Sequence, residues 1–578
     1  MLSEEEEIMA EITGGELVLK CLKKEGLKRI FGLPDFAYNK LMEKIGEYGV
    51  RWIAPRHESA AVHMAEGVFK TTGEIPVVMA GAGPGTANLV PGIICAREEG
   101  VPVIAITAGR RSEVIYPSKP GTYQGLDQYD VYKPITKWNA VVHQWERIPE
   151  VIQWAYREAM TGRPGPVMVD IPDTLFYAVG DDSKVKILDP HQYRAVVPEP
   201  SARQIEEAAD LLASAKNPLV IAGTGVLNSG AWEDFGALVG LLNCPATTSM
   251  AARTILPHNH PNFLFGYSKG ALTARAEADV VLAVGTRLGE LDLPFDKYWG
   301  DLGKQKIIQI DIDPKNIGLF RPIHRGIVAD AKASLAMLIE RLKEKKVKPS
   351  DGKYLRQYKD MEEEWRQAET AGVDSYAGDK IHPVQSVRAA REVFGTDAVN
   401  VGDGGNTSLY NALFTDFEKP LTSLGIFEFG HLGTGIPYAI GAKLARPDKE
   451  VYVVTGDGAA GFNFMEMETA LRENVKITVI VHAEEAWCME EITQIMEVGD
   501  PAKVVGCRQS PVRWDKVAEG IGCFGQYVEK PTDLKAAIER ARSHELPAVV
   551  CVKTDKQANL IPPVTAQFME VYEGTKEE

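Results

Sequence analysis

The sequence predicts an α/β protein of three doubly wound parallel-sheet domains, and three observations carry that expectation. Short continuous apolar runs alternate with amphipathic helical stretches along the chain, as in parallel sheets covered by helices. Several runs lead directly into glycine, where such sheets place their ligand loops. Two polar seams without apolar period then divide the pattern into three.

The buried-strand candidates, in order, are PVVMA (76–80), VPVIAITAG (101–109), PVMVDIP (166–172), NPLVIAG (217–223), ADVVLAVG (278–285), KIIQIDI (306–312), EVYVVTG (450–456), KITVIVH (476–482) and PAVVCV (547–552). The first seam, 181–201, is polar and proline-bearing. The second, 341–354, is basic and then turn-like, followed by an acidic helix around 359–370. The segments expected are therefore 1–185, 195–345 and 380–570, which suits 578 residues at roughly 100–200 residues per domain. The first and third share an α/β style, as two related halves would.

Composition narrows the function classes. A net charge of −16 argues against nucleic acid, because a run of phosphates would meet no matching positive field. Hydrophobic residues at 45% and charged residues at 25% are ordinary for a globular protein. The seven cysteines are scattered and never spaced Cys-x-x-Cys, which fits free thiols in a reducing compartment and neither a disulfide framework nor a zinc site. The acidic start MLSEEEEIMAEITG does not read as a signal peptide, and no run reaches the ~18 apolar residues of a membrane span. The expectation is a cytoplasmic protein with no membrane and no nucleic-acid partner.

Three places carry chemistry. RHESAAVHMAEG (56–67) reads as an apolar-faced helix with Glu58 at its start, where a carboxylate meets the positive end of the helix dipole; a capping or solvated glutamate reads equally well from the residues alone. GAGPGTAN (81–88) is a glycine-rich turn directly after a strand. GDGAAGFN (456–463) follows another strand and precedes a helix, FMEMETALREN. Its glycines permit close backbone approach, a helix N-terminus favours anionic oxygen, and Asp457 can hold a Mg²⁺ ion. The plain alternative is a turn with Asp457 as cap.

Taken together, RHE (56–58), GPG (83–85) with Asn88, YQGLDQ (123–128), DGGNTS (403–408), HLGTGIPYAIGAKLARPD (431–448) and GDG (456–458) resemble the thiamine diphosphate (ThDP)-dependent enzymes of the acetolactate synthase, pyruvate oxidase and benzaldehyde lyase group. AGTGV (222–226), GTRLGE (285–290) and IDIDP (310–314) extend the resemblance through the middle segment. YQGLDQYDVYKPITKW is similar to benzaldehyde lyase. DIDPKNIGLFRPI and DGGNT are similar to oxalyl-CoA decarboxylase and 2-hydroxyacyl-CoA lyase, and GTRL followed by DKYW to sulfoacetaldehyde acetyltransferase.

The resemblance implies a ThDP-binding fold in pyrimidine–middle–diphosphate order and a C–C bond lyase or carboligase acting on small carbonyl substrates, 2-oxo acids or 2-hydroxy ketones. It implies Glu58 against the aminopyrimidine, Gln124 and His431 facing substrate, and Leu432 as the apolar wedge under the cofactor. Pro84, Asn88, Gly405, Asn406, Thr407, Gly456, Asp457, Gly458, Ala459 and Ala460 would contact the cofactor. It also implies a homodimer or homotetramer with active sites at the subunit interface.

One motif departs from the family. The second residue of its usual Asn pair, 27 residues after Asp457, is Glu484, the first is Ala483, and a usual glycine is Cys488. The metal set expected is Asp457, Glu484 and the backbone of Ala486, since a carboxylate is a competent ligand for a hard cation. A shifted loop and a weakened ThDP site are the alternatives. Cys488 reads as a small buried thiol at a helix start. Acyl-CoA thioesters are a rival substrate class, with Arg253, Arg287 and Arg321 available for phosphates. FAD is possible at GTG (223–225), and a catalytically silent scaffold of the same family is the rival from another class.

Overall fold

The computed structural model describes residues 11–573, apart from 116, 375, 377, 379 and 559–563. The chain forms two compact units. Of the described residues, those up to 196 form the first unit together with two short later insertions, 440–445 and 468–473, and the others form the second.

The first sheet has six strands: β1 (Arg29–Gly32), β2 (Arg51–Ile53), β3 (Val77–Ala80), β4 (Ile104–Gly109), β5 (Trp138–Val141) and β6 (Val167–Pro172). They lie in the order β2-β1-β3-β4-β6-β5, every pair parallel. A short antiparallel pair, Glu11–Thr13 with Val179–Asp181, brings the two ends of this segment together.

The second sheet comprises β7 (Pro218–Ala222), β8 (Ala246–Thr248), β9 (Val280–Val284), β10 (Lys306–Asp311) and β11 (Arg325–Val328), ordered β8-β7-β9-β10-β11 and again parallel. Its strands show why the apolar runs are continuous. Leu219 and Ile221 enter the hydrophobic cluster on one face, and Val220 and Ala222 the cluster on the other. With a side-chain period of two, a strand buried on both faces has no room for a polar alternation.

The third sheet comprises β12 (Val399–Asp403), β13 (Ser423–Leu424), β14 (Val451–Gly456), β15 (Thr478–His482), β16 (Phe524–Val528) and β17 (Ala548–Val552). The order is β13-β12-β14-β15-β17-β16, all parallel. All nine strand candidates are strands. The eight other strands of these sheets carry no comparable apolar run.

Two helical readings need correction. The helix after Gly-Asp-Gly does not wait for Phe464: it begins at Asp457, ends at Asn463, and a second helix covers Glu466–Arg472. The acidic helix around 359–370 is the middle of a longer one, Lys353–Asp374. Among the described residues no helix is long and apolar enough to cross a membrane.

Candidate active site

In the first unit the segments that leave the carboxyl ends of β2 and β3 meet, although β1 lies between the two strands. Helix α1 (Glu58–Thr72) starts with Glu58, and the His57 ring caps it by accepting the Ser59 amide at 3.2 Å. Helix α2 (Pro84–Glu99) starts on the glycine turn, where Gly83 has φ +65°. Asn88, in the second turn of α2, donates its amide to Glu58 Oε2 at 3.0 Å. A Cβ on Gly85 would stand 3.4 Å from Glu58 Oε1, so the turn and the carboxylate are in contact range. Gln124, itself at φ +54°, lays its backbone carbonyl where a Cβ on Gly83 would be, 2.7 Å away. The Gln124 Oε1 atom is buried without a hydrogen-bond partner, an uncommon state for a side-chain amide. Glu58, Pro84, Asn88 and Gln124 are thus gathered around one turn.

In the second unit, β12 and β14 end side by side. Helix α3 (Asn406–Phe414) follows β12 through Gly404 at φ +102° and Gly405, and helix α4 (Asp457–Asn463) follows β14. The two turns nearly touch. A Cβ on Gly404 would be 3.4 Å from the Gly456 nitrogen, and one on Gly456 would be 3.1 Å from Thr407 Oγ1. A cavity of ≈ 240 Å³ opens above them. Gly405, Asn406, Thr407, Leu432, Gly456, Asp457, Gly458, Ala459, Glu484 and Ala486 all line it, whereas Ala460 lies in α4 behind that wall.

Asp457 is 5% exposed and holds its loop by two hydrogen bonds, from the Gly458 amide at 2.9 Å and the Glu485 amide at 2.6 Å. Burial pushes its carboxyl up to about 6 against the pull of those backbone N–H groups. Glu485 sits at φ +61°, a left-handed conformation that costs a side-chain-bearing residue about 1–2 kcal/mol. The Asp457 bond, the Gln509 amide on the Glu485 carbonyl (2.8 Å) and the Lys553–Glu485 ion pair (2.5 Å) hold it there. Glu484, 4% exposed, accepts a short hydrogen bond from the Thr554 hydroxyl. The His482 ring lies 4.0 Å from Glu484 Oε1 and is kept neutral, because burial pushes its pKa down to about 3.

Cys488 begins helix α5 (Cys488–Val498) as a buried thiol whose pKa burial raises, so it is no thiolate nucleophile. Sequence reasoning missed three residues here. Asp403 accepts the amides of Gly433 (3.1 Å) and Gly435 (3.0 Å) and so fixes the turn that presents Leu432. Trp487 packs where a Cβ on Gly458 would be, 2.6 Å from its ring. Thr554, two residues past the carboxyl end of β17, donates to Glu484, which lies two residues past the end of the neighbouring β15. An acid directly before Gly-Gly was a visible signal for Asp403; nothing local marks the other two.

Other candidates fall outside the wall. The His431 ring stacks on Phe429 and meets the edge of Phe462, both at 6.4 Å, and His431 is not among the cavity residues. His63 pairs with Glu66 at 2.8 Å, both fully buried. The three arginines are not free surface cations. Arg253 is bonded to Ser423 at 2.9 Å, Arg287 pairs with Glu428 at 3.0 Å, and Arg321 bonds the Pro294 carbonyl at 2.6 Å and Asp296 at 2.9 Å. Gly223 and Gly225 are explained by packing: a Cβ on either would meet the backbone of Gly285 at 2.3 or 2.7 Å.

The residues fit the group the fold implies. Two carboxylates and the Ala486 backbone are hard oxygen donors on one cavity, beside glycine turns whose helices present backbone N–H groups to an anion. Parallel sheets with glycine turns at their carboxyl ends and a carboxylate-lined cradle define a cofactor-dependent α/β enzyme. Sequence profiles place it further. Residues 12–131 match the "Thiamine pyrophosphate enzyme, N-terminal TPP binding domain", 205–338 the central domain of the same enzymes, and 403–552 their C-terminal TPP binding domain. The acetolactate synthase large subunit of Corynebacterium glutamicum is 31% identical over 571 residues, covering 96% of this chain and 89% of that protein. The probable acetolactate synthase large subunit of Methanocaldococcus jannaschii is 30% identical, covering 95% and 93%. Acetolactate synthase isozyme 3 large subunit of Escherichia coli K12 is 28% identical, covering 96% and 97%. The chain belongs to the thiamine pyrophosphate enzyme family and is a ThDP-dependent enzyme.

Proposed function

We propose that this protein is a ThDP- and divalent-metal-dependent C–C lyase/carboligase with acetolactate synthase-like chemistry on 2-oxo acids or 2-hydroxy ketones. The observation that carries the reading is the shared cavity of Gly405, Thr407, Asp457, Glu484 and Ala486. Asp457, Glu484 and the Ala486 backbone would hold Mg²⁺, and the turns at 404–407 and 456–459 would hold the diphosphate. Bound there, thiamine diphosphate supplies a carbon acid and an electron sink beside the substrate carbonyl.

The chain's own residues do the rest. Glu58 holds a proton toward the pyrimidine ring nitrogen, and the Asn88 amide on its Oε2 orients that carboxyl. Leu432, presented to the cavity by the turn that Asp403 holds through Gly433 and Gly435, would pack against the cofactor. The unpartnered Gln124 Oε1 would accept from a hydroxyl, that of a 2-hydroxy ketone or of the product. For a 2-oxo acid the bond between carbonyl carbon and carboxylate breaks and CO₂ leaves. A new bond joins the same carbonyl carbon to the carbonyl carbon of a second molecule, and one proton is taken up at the new hydroxyl. Segments 1–185, 195–345 and 380–570 are read as pyrimidine, central and diphosphate domains. Glu58 and Asp457 of one site are read as coming from two protomers of a homodimer or homotetramer in the cytoplasm.

The acyl-CoA rival is left without exposed phosphate contacts from the three arginines named for it, because Arg253 and Arg321 are buried and Arg287 is paired with Glu428. FAD is not part of the reading, since backbone packing accounts for the Gly223–Gly225 turn. The test is calorimetry with ThDP and Mg²⁺, then incubation with pyruvate, benzoin, glyoxylate and a 2-hydroxyacyl-CoA while following CO₂ and aldehyde. Cofactor binding with CO₂ release from a 2-oxo acid supports the reading. Binding without turnover of any of the four turns it into the silent scaffold, and no binding removes it.

A further inference from the structure

The cavity that holds the glycine cradle does not end there. It continues to a wall made by Met250, Phe265, Tyr267, Leu291 and Leu413. Met250 opens the short turn after β8, Leu291 lies in the turn Glu290–Asp292, and Leu413 is on α3. Phe265, Tyr267 and Leu413 also belong to the hydrophobic cluster on one face of the second sheet, with Met250 packed against it. The wall is therefore the exposed side of a packed core and keeps its shape without a ligand.

The polar atoms these residues bring are turned elsewhere. The Tyr267 hydroxyl donates to the Leu291 carbonyl at 2.5 Å, and the Phe265 amide donates to Glu362 Oε1 at 2.7 Å. The basic residues that neighbour the wall in sequence do not line the cavity. Arg253, just after Met250, is buried, bonded through Nε and Nη2 to Ser423 and lies over the Phe417 ring at 4.9 Å, with its Nη1 unpartnered, and Arg287, just before Leu291, is paired with Glu428. A carboxylate pressed against this wall would give up its water and gain no donor. An alkyl or aryl group would gain roughly fourfold in affinity for each methylene it buries.

We propose that this arm of the cavity binds the apolar aliphatic or aryl substituent of a carbonyl substrate, so that the preferred second substrate is an uncharged aldehyde or ketone and not a second 2-oxo acid. The proposal rests on the ThDP reading above and names the substrate class of that same site.

The test uses full-length protein with ThDP and Mg²⁺, pyruvate as donor, and acceptors running from ethanal to hexanal, benzaldehyde and glyoxylate. The expected result is kcat/KM rising about two- to fourfold per added methylene, with glyoxylate at least about tenfold below hexanal. Leu291→Arg puts a cation on the wall and is expected to invert that ratio while cofactor binding by calorimetry stays unchanged. Should Leu291→Arg fail to fold, Met250→Ala enlarges the arm without charge and is expected to shift the optimum toward benzaldehyde. Chain-length independence, glyoxylate as best acceptor, or a flavin that co-purifies and is lost in Leu291→Arg would each overturn the proposal. Loss of ThDP binding by the unaltered protein would instead overturn the ThDP reading, which calorimetry reports separately.

Discussion

The first and third sheets share one strand order and differ in where they put charge. In sequence numbering within each sheet both run 2-1-3-4-6-5. In both, the third strand runs into glycine and feeds a helix: β3 into Gly81–Gly85 and α2, β14 into Gly456–Gly458 and α4. The first half keeps that turn uncharged and brings its carboxylate from the preceding connection, as Glu58 at the start of α1. The third segment puts the carboxylate on the turn itself, as Asp457, and fills the preceding connection with Leu432. The backbone is the same device twice, and the side chains divide the labour. An uncharged turn with one nearby acid suits proton work on a ring, and an acid on the turn suits a cation beside phosphates.

That division can be broken at its strongest point. Glu58→Gln keeps the size and removes the acid, so activity should fall about 10²–10⁴-fold with ThDP affinity little changed. Asp457→Asn should lose ThDP and Mg²⁺ affinity first. Calorimetry and turnover on the two variants check this, and equal loss of binding in both would erase the contrast.

The next largest effect belongs to the metal loop. Glu484→Asn should move the Mg²⁺ concentration for half-saturation by at least about tenfold. A Mg²⁺ titration identical to that of the unaltered protein would take Glu484 off the metal. Thr554→Val removes the hydroxyl that donates to the same carboxylate and should weaken Mg²⁺ binding by about tenfold, or cost about 1–3 kcal/mol in urea unfolding. No change in either would leave that contact without consequence.

The smallest effect compares glycines. Gly73, at φ +74° with open space around it, should lose only about 1–2 kcal/mol on substitution by alanine. Gly83, at φ +65° with the Gln124 backbone 2.7 Å from its Cβ position, should lose more. Thermal unfolding of Gly73→Ala and Gly83→Ala decides, and equal losses would show that the close approach at Gly83 carries no energy.

Much of this was legible along the chain. The nine apolar runs are strands because each is buried on both faces. Glu58 at a helix start, the two glycine turns and Cys488 as a buried thiol follow from local pattern. The strands that escaped are different in kind. Arg51–Ile53, Trp138–Val141, Arg325–Val328 and Phe524–Val528 lie on sheet edges and are partly exposed, so no apolar run marks them. Val399–Asp403 is fully buried yet carries Asn400, which is paired side chain to side chain with Asn411 at 2.8 and 3.0 Å. A polar residue with a buried partner looks, in sequence, like a residue in a loop.

By itself the sequence determined the nine strands buried on both faces, the turns and the family, because hydrophobic period and glycine are read over a few residues. Tertiary structure alone decided that both outer sheets share one strand order and that Thr554 meets Glu484. It also decided that Met250 and Leu291 line the same cavity as Asp457, and that Arg253 and Arg321 are buried while Arg287 pairs with Glu428. Those pairings join residues far apart in the chain, and they form only when strands pack in a particular order. No local spacing records that order.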